Sequence, residues 1–328
     1  MFDDSLLDDP LALTVRGERV HKLALTGARL RCERSEEMAV ILSGLGGVSP
    51  RSILVIGTEA RLVRTIVESG SPVPCVAWQM GTLPAWTGPL DLVIILAGPD
   101  SRWLPPCREA LKRGSMVFLV APVGSPILEE APSLPCLLTQ EDDPFLAALL
   151  ALKVIDLMGL GPELDLAVVA DALDTVADQC GPRHGLETNP AKNLACALAD
   201  AVPLVWGGTV LAARVSRRIA EALREATGLP ALAADDDALV PLLEASSPRD
   251  VFADPFEDLS ARIGFCLLML DDGEQNLHGI DLARMAQGHS VRVETIRYTH
   301  GNPVVRYAGL LHQGLFAAAY LGLATMQE

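Results

Sequence analysis

Aromatic residues make up only 4% of this 328-residue chain, although half of its residues are hydrophobic. The interior must therefore be built from Leu, Val, Ile and Ala, the composition of parallel sheets covered by helices on both faces. The seven cysteines form no CxxC pair and are widely spaced, which speaks against a zinc or disulfide framework and for small buried apolar residues in a reducing compartment. Basic residues are scarce, 26 against 42 acidic ones for a formal charge of −16, and Lys112-Arg113 and Arg217-Arg218 are only pairs. Such a balance repels nucleic acid and anionic membranes. Despite a mean hydropathy of +0.30, the apolar runs at 53–56, 92–97 and 116–122 have the length of strands, far short of the ~20 residues of a membrane span. The opening Met-Phe-Asp-Asp-Ser has no basic n-region, so a cytoplasmic location is expected.

Length suits two lobes of roughly 150 residues each. After an acidic lead-in and a helix at about 35–45, the pattern predicts strand 52–56, helix 59–69, strands 74–78 and 91–96, helix 103–113, strand 115–121 and a Gly/Pro-rich loop. This alternation is that of a parallel sheet with right-handed crossovers. An apolar helix follows at 143–158, expected to be buried at a lobe junction or a subunit contact. Helix 163–178 and the Gly181-Pro182 turn link to a second lobe of the same grammar: helix 190–200, strand 202–206, helix 210–226, strand 230–233, a polar stretch 234–258, strand 264–270, helix 278–286, strand 290–296 and helix 303–325. The expected organisation is a lead-in and first domain at 1–158, a linker helix at 159–186 and a second domain at 187–328.

Within the second lobe, Asn189, Ala191, Lys192, Pro203, Gly207, Ala212 and Arg214 resemble the Asn-x-Ala-Lys, strand, glycine-turn and Ala-x-Arg pattern of the bifunctional phosphoglucose/phosphomannose isomerases. Leu83-Pro84 in the first lobe and Tyr320-Leu321 in the closing helix match that family too. The resemblance implies an α/β fold of two Rossmann-like (SIS) lobes with parallel sheets flanked by helices. It also implies a sugar phosphate ligand, a homodimer, and neither cofactor nor metal.

An aldose–ketose isomerase needs a carboxylate to move a proton between C1 and C2, a ring-opening group, and hydroxyls or helix N-terminal N–H groups to hold the phosphate. On the resemblance, Asp250 of Ser247-Pro248-Arg249-Asp250-Val251 stands where the family has glutamate, and His278 is the best placed of His278, His289, His300 and His312 for ring opening. Thr58, Ser101, Arg102, Gly207, Gly208, Thr209 and Arg214 are the substrate-binding candidates. Each has a plainer reading: Thr58 as a helix cap, Asp100 and Ser101 as a strand-to-helix turn, Asp250 as a surface acid, His312 as a satisfied core residue. Arg217, Arg218, Arg249, Arg297 and Arg306 remain as further anion partners.

The sequence departs from the family pattern in the loops. The Ser/Thr-rich phosphate loop becomes Leu96-Ala97-Gly98-Pro99-Asp100-Ser101-Arg102-Trp103, and the first glycine loop is reduced to Gly57-Thr58. Ala318 replaces a hydroxyl that the family associates with use of both C2 epimers. Two readings stay open: a divergent phosphosugar isomerase, or a non-catalytic sugar-phosphate binder or regulator on the same fold. Nucleotide chemistry is set aside, because neither GxGxxG nor a Walker A sequence occurs at a strand-to-helix turn.

Overall fold

The computed structural model describes residues 2–32, 49–68, 70–79, 81–246, 264–274 and 277–325. The helix expected at 35–45 lies outside them. The chain divides into two compact units, residues 29–167 and residues 1–28 with 168–328.

In the unit 29–167, five parallel strands run β1 Ser52–Gly57, β2 Cys75–Trp78, β3 Asp91–Leu96, β4 Met116–Pro122 and β5 Cys136–Thr139, in the spatial order β2-β1-β3-β4-β5. Every residue of β1 and β3 is buried. Ile53, Val55, Leu92 and Ile94 alternate with Leu54, Ile56, Val93 and Ile95, so both sheet faces are covered, as an unbroken apolar run requires. The helix Pro144–Leu157 buries nearly its whole circumference, and Asp143 caps it by accepting the N–H groups of Phe145 and Leu146 at 3.1 Å. It packs on β3, β4 and the helix Ala60–Val67. The Gly/Pro-rich stretch after β4 holds a short helix, Pro126–Glu130, and β5, neither of which the sequence pattern revealed.

In the other unit, β6 Ala201–Gly207, β7 Leu232–Ala233, β8 Gly264–Asp271 and β9 Arg292–Arg297 pair in parallel in the order β7-β6-β8-β9. The 22-residue helix Pro303–Ala324 forms its spine. A Cβ on Gly314 would lie 2.3 Å from Ile219 Cδ1, so the absence of a side chain there lets this helix close onto Val210–Thr227.

The lead-in joins this unit, whereas the sequence pattern placed it with the first lobe. It folds as three short helices, Pro10–Arg16, Glu18–Ala24 and Thr26–Cys32, with Thr26 to Ala28 ending its share of the unit. The physical reason is a set of long-range bonds. The amide of Asp3 donates to Ala324 O at 3.0 Å, and Asp8 receives the ammonium of Lys192 at 2.7 Å. His312, 2% exposed, meets Leu23 O through Nε2 at 2.9 Å, the arrangement of a satisfied core histidine. Among the described residues, no helix is long and apolar enough to cross a membrane.

Candidate functional site

In an open α/β sheet the place for a ligand is the crevice beyond the strand C-termini where the strand order reverses, between β1 and β3 in one unit and β6 and β8 in the other. The two crevices differ.

The first is nearly filled. Gly57, at φ +142°, lies so close to β3 that a Cβ would sit 2.5 Å from Leu96 Cβ. Among the described residues a cavity of about 20 Å³ is lined by Thr58, Gly98, Thr139, Asp142 and Asp143 among others, room for about one water. Asp142 is exposed as a residue, yet partial desolvation of its carboxyl, together with neighbouring Asp143 and Asp100, pushes it above its ordinary range. Asp100 caps the turn Ser101–Trp103 by accepting the Arg102 N–H at 2.9 Å, and Arg102 Nη2 folds back onto it at 2.7 Å. The side-chain bond from Arg102 holds the Asp100 carboxyl below its usual range. Ser101 and Arg102 are both exposed, and Ser125 Oγ closes the loop by donating to Gly98 O at 2.7 Å. Thr58 is exposed and is not the cap of the following helix, whose N-cap position belongs to Glu59.

The second crevice is open, a cleft of about 330 Å³. Gly207 ends β6 against the following helix; a Cβ there would meet the Ala212 carbonyl carbon at 2.2 Å, so this glycine serves strand-to-helix packing. Gly208 and Thr209 line the cleft. Thr209 caps Val210–Thr227, its Oγ1 accepting from Ala212 N at 3.0 Å while donating to Asp272 Oδ2 at 2.5 Å. Asp271 receives Arg297 Nε at 2.7 Å. Arg306 donates to Asp272 O at 2.9 Å and to Glu274 Oε1 at 3.3 Å. Trp206, Met269, Gly279 and Ala283 form the apolar side, with the Gly279 backbone resting on the Trp206 ring.

Of the residues that the sequence put forward, Gly208 and Thr209 thus stand together in the cleft with Gly207 beside them. Arg214 is buried in the helix Val210–Thr227 and does not line it. Asp250 lies outside the described residues, as does the His278 side chain, although the helix that carries it, Leu277–Gly288, borders the cleft. Sequence reasoning missed Asp271, Asp272 and Glu274; the signal was an Asp-Asp-Gly directly after the apolar run of β8, which puts carboxylates at a strand's ligand end. The Asn189-to-Lys192 motif is internal. Asn189 caps its helix and donates to Cys180 O and Gly181 O, and Lys192 lies 5.3 Å from the centre of the Tyr320 ring. No group of three metal-ligating side chains occurs among the described residues. Burial pushes the thiols of Cys75, Cys136, Cys180 and Cys266 up to about 12, far from nucleophilic reactivity at neutral pH.

Among known proteins, residues 187–327 match the model of the bacterial phosphoglucose isomerase C-terminal SIS domain. No curated protein matches the chain. Solved structures do. A glucose-6-phosphate isomerase-like protein from Thermus thermophilus is 20% identical with a TM-score of 0.58, over 97% of this chain and 92% of the other. Tagatose-6-phosphate ketose/aldose isomerase from Escherichia coli is 12% identical with a TM-score of 0.68, over 95% and 94%. The C-terminal domain of glucosamine-fructose-6-phosphate aminotransferase from Francisella tularensis is 10% identical with a TM-score of 0.67, over 93% and 94%. At these identities the likeness concerns the fold. Residues 187–327 are thus similar to the bacterial phosphoglucose isomerase C-terminal SIS domain, and the chain as a whole shares the α/β fold of these solved structures, two parallel sheets flanked by helices.

Proposed function

We propose that this SIS protein binds a carbohydrate derivative in the cleft of its second lobe and does so without the phosphate grip of an isomerase. One contrast carries the reading: among the described residues the crevice at β6 and β8 is open to about 330 Å³, while the cavity at the ends of β1 and β3 measures about 20 Å³ beside Asp142 and Asp143. A hexose needs hydrogen-bonding groups along an apolar wall, and Thr209, Asp272, Trp206 and Met269 supply both. In the first lobe, the family's hydroxyl-rich loop is replaced by a closed Asp100–Arg102 pair.

A second reading, an aldose–ketose isomerase acting on glucose 6-phosphate or mannose 6-phosphate, is favoured by the family of residues 187–327 and by the helix Leu277–Gly288 at the cleft. In it Asp250 shuttles the proton and His278 assists ring opening. It stands second because a base placed about 1 Å short, as aspartate is relative to glutamate, costs on the order of 100-fold. A homodimer in the cytoplasm completes either reading.

Thermal-shift screening of the full chain against hexoses, hexose phosphates and nucleotide sugars, run beside a coupled isomerase assay with fructose 6-phosphate, separates the two. Stabilisation without conversion is the expected outcome. Turnover that disappears in Asp250→Asn would establish the isomerase, and no stabilisation by any sugar would refute both.

A further inference from the structure

Two arginines converge on a groove that shares no lining residue with either crevice. Among the described residues it measures about 360 Å³, and it lies wholly within the unit formed by residues 1–28 and 168–328, lined by Arg16, Arg19, Glu225, Ala319, Gly322 and Thr325 among others. The lead-in supplies the cations. Arg16 ends the helix Pro10–Arg16, and Arg19 stands in the first turn of Glu18–Ala24, with Gly17 as the single joining residue. The facing wall comes from the C-terminal ends of Val210–Thr227 and Pro303–Ala324, where Ala319 and Gly322 offer almost no side chain to fill the space.

The guanidiniums of this groove are poorly used. Arg19 lies 4.0 Å from Glu225, beyond hydrogen-bond reach, with side chains 60% and 65% exposed, so the pair contributes little in water. No hydrogen bond or ion pair engages the Arg16 guanidinium among the described residues. By contrast, Arg297 at the cleft of the second lobe is held by Asp271 at 2.7 Å. Helix C-terminal ends draw a cation toward them, but that attraction leaves the forked N–H donors of both arginines without acceptors.

We propose that this groove is a separate binding site for a small hydroxylated phosphate ester. Guanidinium forks meet phosphate oxygens two at a time, so Arg16 and Arg19 take the phosphate. Glu225 accepts from hydroxyl groups, and the Thr325 hydroxyl, which donates to Leu321 O at 2.7 Å, keeps its acceptor side for another. The volume falls within the range of small-molecule sites, about 300–1,000 Å³. Because the two walls belong to the lead-in and to the helix ends, an occupant fastens the lead-in to the unit, adding to the bonds of Asp3 and Asp8.

Isothermal titration of the full wild-type chain, Arg16→Gln and Arg19→Gln with glucose 6-phosphate, glucose and inorganic phosphate, joined to hydrogen exchange, tests this. Both arginines are exposed, so their substitution leaves the core untouched. Glucose 6-phosphate is expected to protect residues 10–24 and 319–325 from exchange, and each substitution to weaken that binding about tenfold or more. Protection confined to 207–211 and 264–297, with affinity unchanged in both variants, overturns the inference while leaving binding at the second-lobe cleft intact. Inorganic phosphate binding as tightly as glucose 6-phosphate marks an adventitious ion only and overturns it too. Equal binding of glucose, or no binding of any of the three, does the same.

Discussion

Replacing Asp8 by alanine should destabilise the C-terminal unit more than removing its partner, Lys192. The two ends of this ion pair are unlike: the Lys192 side chain is 1% exposed and that of Asp8 is 48% exposed, 2.7 Å apart. Loss of Asp8 strands an ammonium in the interior, with the Tyr320 ring, 5.3 Å from its centre, as remaining compensation. Breaking a fully buried pair from one side costs about 3–5 kcal/mol. Because Asp8 is half exposed and water can follow its removal, about 2 kcal/mol is expected. In Lys192→Met the apolar stem is kept and Asp8 is free to hydrate, so the loss is about 1 kcal/mol. For a unit of this size the Asp8→Ala variant should melt about 4–8 °C lower. The Leu186 amide and Lys192 hold the Asp8 carboxyl below its ordinary value. Its contribution is therefore complete above the usual carboxylate pKa of ~3.9 and lost as pH falls through the lowered folded value, so the two melting curves should converge in acid. Thermal unfolding of wild type and both variants between neutral pH and acid reads all of this. An Asp8→Ala loss smaller than that of Lys192→Met would refute the argument, since it would mean that the buried end of the pair does not need its partner.

Two further outcomes follow from the strand ends. Gly207→Ala drives a methyl group to 2.2 Å from the Ala212 carbonyl carbon, backbone that has no side-chain freedom to yield, and should cost about 1–3 kcal/mol or more in urea unfolding; an unchanged midpoint would show that the turn opens freely. Asp142→Asn relieves a carboxyl that partial desolvation and the neighbouring Asp143 and Asp100 hold above its ordinary range, so the folded protein favours the protonated form and loses stability as pH rises through that raised pKa. The variant should equal or exceed wild type at pH ~7, with the advantage gone at pH ~3, and a variant that is less stable near neutrality would contradict the burial argument.

The sequence carried most of the framework because it is written in contiguous apolar runs. DLVIIL and SILVI can bury both faces only in a covered parallel sheet, and the structure forms β3 and β1 there. The elements that went unseen are short or polar. The four-residue β5 follows a proline and is only half buried, and the helix Asp236–Glu244 begins with consecutive acids that read as loop. The lead-in was misplaced because Asp8 and Lys192 lie 184 residues apart, and no local pattern records such a pairing. At the cleft, Gly208 and Thr209 were legible through turn chemistry. Asp272 was not, because its role depends on which strands are neighbours, and strand order is invisible along one chain.

The two lobes show how far a site changes while its scaffold holds. Both sheets keep parallel pairing and a reversal of strand order, the requirement for a crevice. What fills that crevice is set by a few loop residues, which the packing of the sheet does not constrain. In the first lobe those residues are Asp142 and Asp143, which line a cavity of about 20 Å³ among the described residues, with Arg102 folded onto Asp100 in the loop after β3. In the second, a glycine turn and a buried aspartate leave the space open but reverse the sign of charge that a helix N-terminus invites. Asp272 has a structural task at the edge of that open cleft: it holds the hydroxyl of Thr209, the cap of Val210–Thr227, at 2.5 Å and the Glu274 N–H at 3.2 Å, so the end of β8 and the start of the helix after β6 are fixed together.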